Sequence, residues 1–152
     1  MKHLLIILSL FLFSFTYISC SSSDSGSSTT STTSDNDSTT DDNSTYSDNG
    51  TTFTVTVSSS KYYIDGILTK SLTLKKGYTY FFDSTDSTTN NHPLFIGTIS
   101  TGGSYTYEYT SGVTKSRTTT ETLTFIVPSD SPSTLYYNCG NHEAMGGKIT
   151  IL

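Results

Sequence analysis

Along most of this chain beyond residue 50, apolar and polar side chains alternate one for one. Threonines separate Phe53, Val55 and Val57; Leu72 and Leu74 flank Thr73; Leu123 and Phe125 flank Thr124. A period of two, carried by β-branched and aromatic residues, predicts strands with one buried face. By this reading strands run over 53–57, 72–74, 78–82, 92–99, 104–109, 122–127, 135–138 and 148–152. Lys75-Lys76-Gly77 and the polar run from Asp83 to Ser87 supply turns, and Pro128 ends a strand. Pro93 sits near a strand start, where a missing donor is tolerated. No window places apolar residues at helical spacing over a useful length, and there is no internal repeat. About eight short strands in roughly a hundred residues predict an all-β domain, a Greek-key β-sandwich or barrel. With no tryptophan, and a single cysteine after residue 20, an immunoglobulin domain with an inter-sheet disulfide is disfavoured.

The first fifty residues follow other rules. Lys2 precedes an apolar run over residues 4–18, too short to span a bilayer comfortably, and Ser19-Cys20 closes it. A cysteine after a small residue at that point resembles the lipobox of bacterial lipoproteins, with Tyr17 where leucine is usual. Residues 1–19 are therefore expected to be a lipoprotein-type signal peptide and Cys20 the lipidated residue. A plain secretory signal, or an uncleaved anchor, are the alternatives. From Ser21 to Gly50 the chain is almost all Ser, Thr, Asp, Asn and Gly, with six aspartates, one aromatic (Tyr46) and no basic residue. It cannot bury enough apolar surface to offset chain entropy, so residues 20–50 read as a disordered, self-repelling tether. The expected address is the cell envelope, on a bacterial membrane held through the lipid.

Residues 51–152 then form one domain of common size. Its seven lysines and arginines balance seven aspartates and glutamates, so the net charge of −5 belongs to the tether with its six aspartates, offset by Lys2. No basic stripe points to nucleic acid.

The chemistry gathers near the end. Cys139-Gly140-Asn141-His142-Glu143-Ala144-Met145 puts a thiolate, an imidazole and a thioether within seven residues, and Gly146-Gly147 follows. The chain has two Cys, two Met and three His. Cys20, Met1 and His3 belong to the signal or its cleavage point, which leaves Cys139, Met145, His142 and His92. Two histidines and a thiolate in a trigonal set, with a weak axial methionine, are the ligand recipe of a blue-copper centre. Structural zinc more often takes several cysteines. An unpaired thiol in an oxidising compartment is a liability unless buried or coordinated. Taken singly, Cys139 also reads as a small buried hydrophobe, His92 as a hydrogen-bonded loop histidine and Met145 as core filler.

The stretch from Leu135 through Tyr136-Tyr137-Asn138-Cys139 to Met145-Gly146-Gly147-Lys148-Ile149 resembles the C-terminal copper loop of cupredoxins. It is closest to cupredoxin-like domains of exported bacterial proteins, which it also resembles at Tyr80-Phe81-Phe82-Asp83, Asp86-Ser87 and His92-Pro93-Leu94. The resemblance implies a cupredoxin-like fold and one type 1 copper ion on His92, Cys139, His142 and Met145. Many electron-carrier members place asparagine directly after the first histidine, where it ties the two ligand loops together. Here that residue is Pro93, and Asn90, Asn91 and Asn141 are left to make the tie. The neighbours of His142 include Glu143 rather than the apolar docking residues of freely diffusing carriers.

The expected function is a membrane-tethered one-electron carrier, a monomer that meets a redox partner protein. No catalytic role is expected, because both histidines are committed to the metal and no Ser-His-Asp set is left. Two other readings stand beside it: a cell-surface binding or structural domain without redox work, and a copper capture or delivery protein. Residues 110–120 carry Lys115 and Arg117 and read as a solvated loop.

Overall fold

The computed structural model describes residues 46–152. The signal over 1–19, Cys20 and most of the 20–50 tether lie outside the described residues. Ten strands follow: β1 (Thr52–Ser58), β2 (Lys61–Ile64), β3 (Ile67–Leu68), β4 (Leu72–Leu74), β5 (Thr79–Asp83), β6 (Leu94–Gly97), β7 (Val113–Thr114), β8 (Thr122–Ile126), β9 (Thr134–Cys139) and β10 (Gly147–Ile151). One sheet has the order β3-β2-β1-β5-β8-β7, the other β4-β10-β9-β6. Both are mixed: β1 runs parallel to β5 and β10 parallel to β4, while the other pairs are antiparallel. The predicted all-β sandwich is the fold observed.

Alternation decides which way each strand faces. Phe53 and Val55 on β1, Tyr80 and Phe82 on β5, and Leu123 and Phe125 on β8 point into one core with Leu72, Leu74, Leu135, Tyr137, Ile149 and Ile151. Their threonine neighbours are exposed or half-buried. At about 25 cal/mol per Å² of apolar surface, the large aromatic side chains among these dominate the driving force.

Strand β6 is buried at all four positions, although it lies at the edge of its sheet. Leu94 and Ile96 face the core. Its free edge is covered by the long stretch of chain between β6 and β8: Tyr109 N–H donates to Ile96 O (2.8 Å), Arg117 N–H to Leu94 O (2.7 Å), and Leu94 N–H to Thr118 O (2.9 Å). Covering an edge this way removes a template for unwanted pairing.

Two parts of the predicted strand pattern are corrected. Residues 104–109 are not a strand but part of that covering loop, meeting Gly97 only through a single bridge at Glu108. Alternation there is misleading, because the three tyrosines have three different surroundings. Tyr105 packs edge-on to Phe95, Tyr107 is exposed, and Tyr109 packs edge-on to Phe125. Conversely, the β2–β3 hairpin was not anticipated. Its turn is Asp65-Gly66, with φ of 51° and 76°. Positive φ at both central positions is what a tight hairpin turn requires, and Asp-Gly provides it.

The packed chain also reaches upstream of residue 51. Ser47 N–H donates to Thr73 O (2.8 Å) and Gly50 N–H to Thr79 O (2.8 Å). Asn49 Oδ1 accepts from Thr79 N–H (2.7 Å). The buried Tyr80 hydroxyl accepts from Lys75 N–H (2.9 Å) and donates to Ser47 O (2.8 Å). Tyr80→Phe should therefore cost about 1–3 kcal/mol in denaturant unfolding, by stranding both partners. A change under about 0.5 kcal/mol would mean that this hydroxyl does not secure the upstream segment.

Candidate metal centre

Strand pairing brings the candidate ligands together. In the antiparallel β6–β9 register, Leu94 lies opposite Cys139. His92 is two residues before Leu94, so a partner 47 residues away in sequence arrives beside the sulfur. His142 and Met145 lie on the short loop from β9 to β10.

The Cys139 thiol is free and fully buried. Its Sγ lies 3.9 Å from His92 Nδ1 and 3.5 Å from His142 Nδ1. One ligand atom from each of the three residues falls within 4.8 Å of the others. Metal–nitrogen and metal–sulfur bonds of roughly 2.0–2.3 Å at trigonal angles set donor atoms about 3.5–4.0 Å apart. The three donors thus fit a trigonal soft-metal site. The histidine rings lie 4.8 Å apart, tilted by 37°. Burial, reinforced by His142 nearby, pushes the His92 imidazole below its ordinary pKa. That favours the neutral ring, the form able to bind a metal. Met145 is buried to 1% among the core residues that also surround Cys139. His142 is exposed and His92 half-buried, so the centre meets solvent on the histidine side.

Backbone contacts hold the two ligand loops in place. Gly140 N–H donates to Pro93 O (2.9 Å), and Asn141 Nδ2 donates to Asn91 O (2.8 Å). Asn141 therefore makes the loop-to-loop tie that Pro93 cannot. Lys61 Nζ donates to the carbonyl of Ala144. Gly146 has no room for a side chain, since a Cβ there would run into the Tyr137 carbonyl.

The covering loop forms an outer layer. Gly103 N–H donates to Cys139 O (2.9 Å), and the ring of Tyr105 lies against Gly140. The Arg117 guanidinium stacks over that ring at 4.1 Å and pairs with Glu108 Oε2 at 2.6 Å. Ser116 Oγ donates to Glu108 Oε1 at 2.5 Å. The solvated-loop reading suits Lys115, which pairs with Glu121 with both side chains 55% exposed. It does not suit Arg117, which braces Tyr105. Sequence reasoning had no sign of this brace, because its partners lie nine and twelve positions apart in a stretch without period.

No protein-family model matches the chain, and no curated protein does. Among solved structures it is similar to reduced rusticyanin, at TM-score 0.42 and 14% identity over 70% of this chain and 83% of that one. It is similar also to rusticyanin from Thiobacillus ferrooxidans, at TM-score 0.40 and 16% identity over 67% and 77%.

The Glu108 side chain is only 6% exposed. Burial pushes its carboxyl up, but the bonds from Arg117 and Ser116 and the guanidinium charge outweigh that and hold it below the ordinary carboxylate range. A carboxylate with a depressed native pKa stabilises the fold above its unfolded value of about 4.3 and loses that contribution as pH falls through the native value. Wild type should therefore exceed Glu108→Gln by about 1–2 kcal/mol near neutral pH, the low end applying because Arg117 is half in water. Thermal melts of the pair should converge below the ordinary carboxylate range, and a gap independent of pH would refute the ion pair.

Proposed function

We propose that this chain is a type 1 copper protein that carries one electron at a time from a membrane-tethered position. The observation that carries the reading is the Cys139 sulfur, fully buried and flanked by the Nδ1 atoms of His92 and His142 at 3.9 and 3.5 Å. Copper, when bound, supplies a Cu(II)/Cu(I) couple. Cys139, His92 and His142 would hold the ion, and Met145, carried by the same loop, would add a weak thioether donor. The donor set favours copper over structural zinc, which would gain little from a thioether.

The protein's own work is to keep the donors still. Cys139 ends a strand paired on both sides, by β6 and β10. The segment that carries His92 is tied to it by Gly140 and Asn141. A site that hardly moves between oxidation states transfers electrons with little reorganisation. His142 is the exposed donor, so the electron enters and leaves on its side, where Asn141 and Glu143 are also exposed. A redox partner protein meets the monomer there. In this reading Cys20 carries the lipid, and residues 20–50 hold the domain off a bacterial membrane in the cell envelope.

Cu(II) added to the full chain in detergent should give intense visible absorption from thiolate-to-copper charge transfer. Cys139→Ala should abolish it, and His92→Ala and His142→Ala should each weaken binding at least tenfold. Absence of both colour and bound copper would leave the binding or structural role. Tightly bound copper without a reversible one-electron couple would favour capture or delivery.

A further inference from the structure

Next to the pair Leu94 and Cys139, the β6–β9 register sets Phe95 opposite Asn138. Both are buried, yet Phe95 stands apart from the core between the sheets. The covering loop is what shields them. The Tyr105 ring meets Phe95 edge-on with centroids 5.2 Å apart, and Asn138 Nδ2 donates to Ile99 O (2.9 Å). The same loop then closes on the backbone of the metal loop. Gly103 N–H donates to Cys139 O (2.9 Å), and a Cβ on Gly102 would strike the carbonyls of both Cys139 and His142. A Cβ on Gly140 would strike the Tyr105 ring. The Arg117 guanidinium lies over that ring, 4.1 Å from its centroid, and is itself held by two bonds to Glu108 Oε2 (3.0 and 2.6 Å). A cation over an aromatic face adds to what packing alone supplies.

We propose that Tyr105 is a positioning residue of the metal centre: its ring, fixed by Phe95 and Arg117, presses on Gly140 and keeps Cys139 and His142 at metal-binding separation before any ion arrives. This rests on the copper reading above and deepens it. Tyr105 is not a donor; it acts through the glycine that lies between the two. Glycine has the most permissive backbone of any residue, so a loop with Gly140 beside the thiol would open there if nothing covered it. A side chain at 140 would stiffen the loop but leave no space for the ring. Glycine and tyrosine together give both close contact and restraint. Partners that orient ligands from outside typically cost ten- to a hundredfold in metal affinity when they are removed.

Tyr105→Leu takes the ring away from Gly140, Phe95 and Arg117 together. In the metal-free full chain in detergent, Cys139 should then react with a thiol reagent at least about tenfold faster, with Cys139→Ala as the blank. The rise should appear without denaturant, as a local opening does. Copper affinity, measured against a competing chelator, should fall about tenfold, and the charge-transfer band per copper should weaken. Tyr105→Phe, which keeps the ring, should restore all three. Tyr80→Phe, which loosens the β4–β5 turn instead, serves as a destabilised control and should move none of them. Unchanged values in Tyr105→Leu would overturn the proposal, as would equal changes in Tyr80→Phe or no rescue by Tyr105→Phe. A faster thiol reaction with unchanged affinity and band would overturn it too, leaving Tyr105 a cover over the thiol. If wild type takes up no copper, the reading beneath fails. The thiol rates of Tyr105→Leu and Tyr80→Phe then decide separately whether the ring holds the loop.

Discussion

The pairing of β6 with β9 decides where everything else must go. Because Leu94 lies opposite Cys139, the strand that ends in the thiol is bound along its length to the strand that begins beside His92. A one-residue slip would exchange the faces of every side chain on β6. Leu94 and Ile96 would then leave the core, and His92 would turn away from the sulfur. The same hydrophobic alternation that builds the sandwich therefore fixes the separation of the candidate metal donors.

A fully buried thiol between two imidazoles needs support from several directions. The support comes in layers that share few residues. Gly140 and Asn141 join the two ligand loops directly, while the covering loop lays Tyr105 on Gly140 and braces it with Arg117 and Glu108. From the far sheet, Tyr62 reaches His92 and Met145. Glycines at 140 and 146 allow the close approach of a ring and a carbonyl that side chains would block. The histidine side is left open to solvent.

Two kinds of information were legible in the sequence. Period-two alternation gave the strands that carry the core, because each of their apolar residues answers to the same constraint. The inventory of Cys, His and Met in the domain pointed to His92, Cys139 and His142, which the fold brings together, because few side chains can bind a soft metal. Where alternation had a second cause, it misled. Tyr105, Tyr107 and Tyr109 alternate like a strand but serve a loop contact, an exposed surface and the core separately. The β2–β3 hairpin was readable from Asp65-Gly66 between β-forming residues, and missing that dipeptide meant missing Tyr62.

What sequence could not supply was the layer behind the donors. Tyrosine, arginine, glutamate and asparagine have many uses, so their chemistry does not single out Tyr62 among 11 tyrosines. Only the sandwich makes it distinct, by carrying β2 across to the ends of β6 and β9. The same reasoning explains why Pro93 is tolerated beside a ligand. The proline removes a backbone donor, but its carbonyl still accepts from Gly140, Asn141 ties the loops, and the Tyr62 hydroxyl holds the His92 carbonyl. The departure at one position is absorbed by three contacts, two from the loop after β9 and one from β2.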